Sequence, residues 1–425
     1  MTAKYEKIIE DFTVDSEELE EIAAIFRRDI VRGLAGDENS AFKMLKSYLG
    51  LPTRQEKGEF IALDFGGTNV RALLIRLLGG GKSEIVKKAS GQLVNDDHNY
   101  ISADNTADDL FGFIADIIMQ VAEPDKEYRL GHTFSFPSYQ ENLSDARLIS
   151  WTKEFATKGV EGENVSELLA KALAKRGGAK IKPVAVLNDT VAVVAAAAYK
   201  YDNADIGSIC GTGHNTAYLE RYKDSGKAIK PMILNLECGN FDKLVTNHFD
   251  QRLDSQSEKP GEQRLEKMVS GCYLGELFYL AVCEAFDLEH RNVYFDGADL
   301  SAIIGDRSGD LAKVRAVLKE KIGFTLDEDA AVWVRAFAEA IVVRSARLVA
   351  ATYVGIIWHM DGDAEGAIGK HIVAIDGSLF EKMPLYAENM RKAVSELLGS
   401  DAAKIELVLE NGGSGLGAAI AAAVE

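Results

Sequence analysis

Residues 61–76 read IALDFGGTNVRALLIR, two apolar runs joined by a polar, glycine-containing turn. The flanks 61–63 and 70–75 have strand composition, and the turn between them carries a carboxylate, two glycines, a hydroxyl and an amide. Residues 206–220, IGSICGTGHNTAYLE, repeat this plan around a Gly-Thr-Gly turn. Elsewhere the apolar period lengthens. Leu19, Ile22, Phe26 and Ile30 recur at helical spacing behind a capping pattern, Asp15 with Glu18, which predicts a helix over 15–34. Further helices are predicted over about 107–121, along the Ala-rich run VAVVAAAAYK, from Pro260-Gly261 through Glu266, over most of 311–360, and from the Gly-rich turn at 411–417 to the end. Apolar runs at 128–137, 183–187, 370–375 and 404–409 predict strands, as does the start of LNLECGNF at 234–241.

Two similar hairpins, each followed by strands and helices, predict a duplicated α/β unit. At 425 residues the chain exceeds one ordinary core, and 47% hydrophobic residues can fill two or three. A formal net charge of −18 opposes non-specific binding to nucleic acid or anionic lipid. It also repels a nucleotide at long range, so any nucleotide site must be made attractive locally by backbone amides, a cation and a few basic side chains. The start, MTAKYEKIIEDF, lacks the apolar core of a secretion signal, and no segment reaches about 18 uninterrupted apolar residues. The expected location is therefore cytoplasmic, without membrane or nucleic-acid partners. Cys210, Cys238, Cys272 and Cys283 form no C-x-x-C pair and point to neither zinc nor a disulfide framework.

Candidate chemistry clusters in the turns. A Gly-Gly turn lets N–H groups approach an anion, and an acid ending a strand, Asp64, can hold a hydrated metal beside it; a hairpin turn chosen for its backbone angles alone is the competing reading. Gly81-Lys82-Ser83 is a decoy, since a phosphate loop would need glycine where Arg76 stands and a strand-to-helix context. Asn188-Asp189-Thr190 ends an apolar run and opens a helix, where open α/β sheets place ligands and where helix caps also sit. The last glycines, 412–417, have the wrong spacing and too short a continuation for a dinucleotide fold, yet suit phosphate or adenosine contact at a helix N-terminus.

In order along the chain, LDFGGTNVR, TFSFP, SWTKEF, LNDTVA, GTGHN, NLECGNF, PGEQRLEKMVSGCYLGE, IDGSLF and GGSGLGAA resemble the motifs of the eukaryotic-type hexokinase family, from about residue 48 to the C-terminus. The resemblance implies an actin-like (ribonuclease H-like) ATPase fold, α/β and duplicated, with two lobes around a deep cleft: 58–187 plus 410–425 as the small lobe, 1–57 plus 188–409 as the large one. It implies MgATP-dependent phosphorylation of a hexose, glucose foremost, by a monomer or homodimer. Asp189 would accept the proton of the sugar 6-hydroxyl, with Lys153 steadying developing phosphate charge. Ser135, Thr152, Lys153, Asn188, Asn215, Glu237 and Glu266 would surround the hexose. Asp64 would lie near Mg2+ through water, with Gly66, Gly67, Thr68, Asn69, Arg71 and Thr212 around the phosphates and Gly377, Ser378, Gly413 and Ser414 near the adenosine or its phosphates. Cys238 stands where the family often has tryptophan, His214 holds a variable position, and Leu416 replaces a lysine of some members, which bears on sugar preference and product inhibition. A nucleotide-binding sugar sensor with little turnover is the rival function, and polyphosphate or ADP the rival donors.

Overall fold

The computed structural model describes residues 2–152, 154–178, 180–222, 230–362 and 367–425. In chain order the strands are β1 (Leu45–Lys46), β2 (Lys57–Phe65), β3 (Asn69–Gly79), β4 (Lys82–Gln92), β5 (Tyr128–Phe134), β6 (Ser138–Gln140), β7 (Ala146–Leu148), β8 (Ile181–Leu187), β9 (Ala204–Cys210), β10 (His214–Glu220), β11 (Met232–Asn235), β12 (His371–Asp376) and β13 (Ile405–Leu409). One sheet runs β4-β3-β2-β5-β8 and a second runs β1-β11-β10-β9-β12-β13, with β6 and β7 a separate hairpin. In the first, β2, β3 and β4 pair antiparallel while β2–β5 and β5–β8 are parallel. In the second, β10–β11 is antiparallel and β12–β13 parallel. Setting aside the two-residue β1, each sheet places its own five strands in the order third, second, first, fourth, fifth. The duplication expected from the two hairpins is thus a repeated topology.

The chain forms two compact units. Leu45–Ser208, Ala217–Asn235 and Glu410–Glu425 make one, and Met1–Met44, Ile209–Thr216 and Leu236–Leu409 the other. The sequence-based lobes break at 57/58, 187/188 and 409/410; in the structure the helix Asp189–Lys200 stays with the unit that also holds the last helix. The reason is close packing of two Ala-rich helices. A Cβ at Gly417 would lie 2.0 Å from the Ala192 carbonyl oxygen, so Gly413–Val424 seats directly on Asp189–Lys200.

In this unit β2 is buried on both faces, which is why it reads as a continuous apolar run. Ile61, Leu63 and Phe65 join a core with the helices Ala107–Val121 and Val165–Lys175. Phe60 and Ala62 face the opposite core with the two Ala-rich helices. The edge strand β4 is mostly exposed and carries Lys82, Lys87 and Lys88, a pattern that discourages edge-to-edge pairing. Gly79, Gly80 and Gly81 all have positive φ in the β3–β4 turn, so the Gly-Lys-Ser decoy is a hairpin corner, strand to strand as expected.

The second unit is built on a 34-residue helix, Glu328–Asp361. Its most apolar window would be long enough to span a bilayer, but 83% of it is buried in the protein. A Cβ at Gly355 would lie 2.7 Å from the Ala23 carbonyl oxygen, where Ser16–Leu34 crosses it. The helix Ser16–Leu34 starts with the expected Asp15/Glu18 capping box. The helix expected from Pro260-Gly261 does not start there. Gly261 has positive φ and donates its N–H to the Asp254 carboxylate, which also takes the Lys267 ammonium at 2.6 Å, so the segment turns around Asp254. Helix begins only at Arg264, ends at Val269, and resumes as Gly271–Ala285. The 311–360 region is likewise two helices, Ala312–Ile322 and Glu328–Asp361, separated at Gly323.

Candidate functional site

Candidate residues of the first unit gather at the carboxyl ends of three parallel strands. The register aligns Asp64 of β2 with Thr133 of β5, and Thr133 with Leu187 of β8. Asp64, Ser135 and Asn188-Asp189 therefore leave the sheet at one edge, the edge where α/β sheets hold ligands. Asp64 is oriented from both sides, its Oδ1 accepting from Thr133 Oγ1 at 3.1 Å and its Oδ2 pairing with Arg71 at 2.7 Å. Two hydrogen bonds leave a carboxylate with further lone pairs. Neither Gly66 nor Gly67 has positive φ, so backbone angle does not demand them. Space does at one of them: a Cβ at Gly66 would lie 3.3 Å from Ser135 Oγ, while at Gly67 it would meet nothing within 4 Å. Thr68 and Asn69 are exposed, and the Thr68 carbonyl takes the Leu93 N–H at 2.7 Å, tying the turn to the end of β4.

Five aromatic rings set the loop that follows. Phe65, Phe134, Phe136, Trp151 and Phe155 pack with centroids 4.9–6.3 Å apart, and the Trp151 indole donates to the Thr157 carbonyl. This cluster anchors the loop that carries Thr152 to the ends of β2 and β5. Lys153 lies outside the described residues.

Asn188 caps the helix Asp189–Lys200, its Oδ1 accepting the Thr190 N–H at 3.0 Å and the Thr190 hydroxyl at 2.6 Å. With Oδ1 so committed, the amide nitrogen is the end left to donate. Asp189 Oδ1 takes the same Thr190 N–H at 2.8 Å. The cap and the ligand readings of this tripeptide are compatible in one geometry. Gly413 and Ser414 open the last helix, where a Cβ at Gly413 would lie 3.1 Å from Val193 and the preceding Gly412 has positive φ.

The second unit holds two groups. Asn215, Glu237 and Glu266 form one. Asn215 donates to Glu237 Oε1 at 3.2 Å, while its Oδ1 accepts the N–H groups of Thr216 and Cys238 at 2.7 and 3.3 Å. Glu237 sits in the left-handed region, φ 54°, which turns the chain into a short 3-10 turn at Cys238–Asn240. Gln263 donates to Glu266 Oε2 at 3.2 Å. Two carboxylates and two amides in one cluster can meet several hydroxyl groups of a polyol, accepting at the acids and donating at the amides. Thr212, Gly377 and Ser378 form the other group. Gly377, φ 130°, lies so close to β9 that a Cβ there would be 2.2 Å from the Cys210 carbonyl oxygen. The N–H of Cys272 meets the Thr212 carbonyl at 3.1 Å, joining the turn to the helix Gly271–Ala285.

Behind this turn the chemistry is kept neutral. His214 is buried, its Nδ1 3.1 Å from the Ile209 carbonyl, and burial lowers its pKa to about 4. Burial likewise pushes the Cys238 thiol well above its ordinary value, so neither group is charged or nucleophilic at neutral pH. Sequence reasoning missed Thr133, Gln263 and Thr190 as partners of the candidate carboxylates and amide. Thr190 and Gln263 had local signals, the one two residues after a cap and the other three residues before Glu266 at a helix N-cap; Thr133 meets Asp64 only through strand register.

Two family models described as Hexokinase match the chain, over residues 4–199 and 205–424. It is 35% identical to Hexokinase-7 of Oryza sativa subsp. japonica over 444 residues, covering 97% of this chain and 95% of that protein. It is 33% identical to Hexokinase-2 of Equus caballus across 99% of its own length but 48% of the horse protein, so it spans about half the length of that relative. The solved structure of a Schistosoma mansoni hexokinase complexed with glucose has a TM-score of 0.84 at 31% identity, covering 100% of this chain and 99% of that one.

Proposed function

The chain belongs to the hexokinase family, and from that premise we propose that it transfers the terminal phosphoryl group of ATP to the 6-hydroxyl of a hexose, glucose foremost. The observation that carries the reading is the placement of Asn188-Asp189: a carboxylate at a helix N-terminus, at the carboxyl ends of the parallel strands β2, β5 and β8, beside an amide whose oxygen is already bound. Glucose is favoured because the Schistosoma mansoni relative was solved with it.

In the reaction the sugar O6 forms a bond to the γ-phosphorus as the bond to the leaving ADP oxygen breaks, and the O6 proton passes to Asp189. A carboxylate is a far weaker base than an alkoxide, so position matters more than basicity and the proton moves late. Such help is worth about 10²–10⁴-fold. Asn215, Glu237 and Glu266 with Ser135, Thr152 and Asn188 would bind the hexose hydroxyls, and Lys153 would face the transferred phosphoryl group. Arg71 and the N–H groups of residues 66–69 suit the nucleotide phosphates, with Thr212, Gly377, Ser378, Gly413 and Ser414 serving the remainder of ATP. A magnesium ion, when bound, offsets phosphate charge. Asp64 supplies one carboxylate with acceptor capacity to spare, which suits an ion carried mainly by phosphates and water.

The test is incubation of the pure protein with MgATP and a panel of hexoses, with ADP and polyphosphate as alternative donors. Formation of hexose 6-phosphate from ATP is expected; hexose binding with no sugar phosphate from any donor would make the protein a sensor. Asp189→Asn is expected to lower kcat by 10²-fold or more with hexose affinity nearly kept. Comparable turnover would remove Asp189 from the role.

A further inference from the structure

The Glu266 carboxylate lies against two backbone positions that carry no side chain. A Cβ at Gly213 would lie 2.9 Å from Glu266 Oε1, and no other atom of the described residues, chain neighbours aside, would come within 4 Å of it. At Gly239 a Cβ would lie 2.8 Å from Oε2 and 3.1 Å from the Glu266 Cβ, with the His214 carbonyl oxygen at 3.3 Å. Neither glycine has positive φ, so neither is required by backbone conformation. Gly211, in the same turn, meets no carboxylate: its Cβ would lie 3.6 Å from Gly377 Cα and 3.8 Å from Ser378 N, ordinary contacts. A Gly-Thr-Gly turn reads in sequence as a phosphate feature. Its second glycine instead faces a carboxylate.

Building on the proposed function, we infer that Gly213 is a positioning residue for the sugar: its missing side chain sets how far the Glu266 carboxylate reaches, while Gln263 holds the other oxygen at 3.2 Å. An alanine at 213 is compatible with the backbone, and the group it displaces is the end of a flexible side chain, so the fold is retained. Relieving a 2.9 Å contact to an ordinary 3.4 Å moves Oε1 by about 0.5 Å. A hydrogen bond to a charged group is among the stronger ones and weakens steeply away from its preferred distance and angle. Losing most of one such bond between the sugar and Glu266 predicts roughly a tenfold weaker hexose site. Glu266→Asp shortens the acid by one methylene and makes room for the added methyl.

The experiment measures the hexose Kd by titration calorimetry, and KM for hexose and for ATP, in the wild type, Gly213→Ala, Glu266→Asp and the double variant. Expected for Gly213→Ala are a roughly tenfold rise in hexose Kd and KM, a smaller change in kcat, an unmoved KM for ATP, and a smaller penalty when Glu266→Asp is already present. A rise in KM for ATP with hexose Kd unmoved would return Gly213 to the phosphates and overturn the inference. So would no change in either, or an equal penalty in the Glu266→Asp background. A wild type that binds no hexose would overturn the functional reading itself, an outcome read directly from its own titration.

Discussion

His132 offers a stability prediction whose size can be worked from the structure. It lies in the middle of β5, fully buried, with Leu63 and Val186 beside it in register and the Phe134 ring 6.2 Å away. Neither ring nitrogen has a hydrogen-bond partner among the described residues. Burial lowers its pKa from 6.5 to about 4. The unfolded chain therefore takes up the proton first: stability is present above pH 6.5, falls as pH drops through 6.5, and levels off below about 4. For those two values the loss between pH 7.5 and pH 5 is about 2 kcal/mol. His132→Leu keeps the apolar packing and removes the titration. Urea unfolding of both proteins at pH 7.5 and pH 5 should show the variant losing about 2 kcal/mol less than the wild type over that range. At pH 7.5 the variant should be as stable as the wild type or more so, by up to about 2 kcal/mol, since two unpaired buried nitrogens are gone. Equal losses of stability in the two proteins would refute the reasoning, and a marked drop at pH 7.5 would show that the imidazole has a partner after all. His214, lowered to about 4 by the same cause, remains in the variant and leaves it some acid sensitivity of its own.

Gly131→Ala would put a Cβ 2.0 Å from the Ala418 carbonyl oxygen and force the last helix off the sheet, so a loss of at least about 2 kcal/mol is expected in thermal or urea unfolding; a change under about 0.5 kcal/mol would contradict the packing. Arg344→Met would strand the Asp250 carboxylate, which it meets through two hydrogen bonds of 2.8 and 2.6 Å with both side chains 3% exposed, at a cost of about 3–5 kcal/mol. Adding Asp250→Asn should recover most of that loss, and no recovery would mean the pair is not where the cost arises.

Much of this was readable locally. The cap at Asp15, the apolar run of β2 and the alanines of Asp189–Lys200 announced their elements because period and capping are short-range properties. The helix at Pro260-Gly261 was misjudged because the N–H of Gly261 is taken by Asp254, a partner that periodicity does not report. Gly66, Gly213 and Gly239 were visible as glycines, but whether each serves angle or space depends on what stands opposite.

By itself the sequence determined the α/β class, the duplicated hairpins, the net charge of −18 and the set of polar residues at strand ends, since each follows from composition and spacing along one chain. Tertiary structure decided the rest. Strand register placed Thr133 on Asp64, and bare backbone at Gly213 left room for the Glu266 carboxylate. These depend on distances between segments far apart in sequence, and such distances are set by how the strands pair and the helices pack.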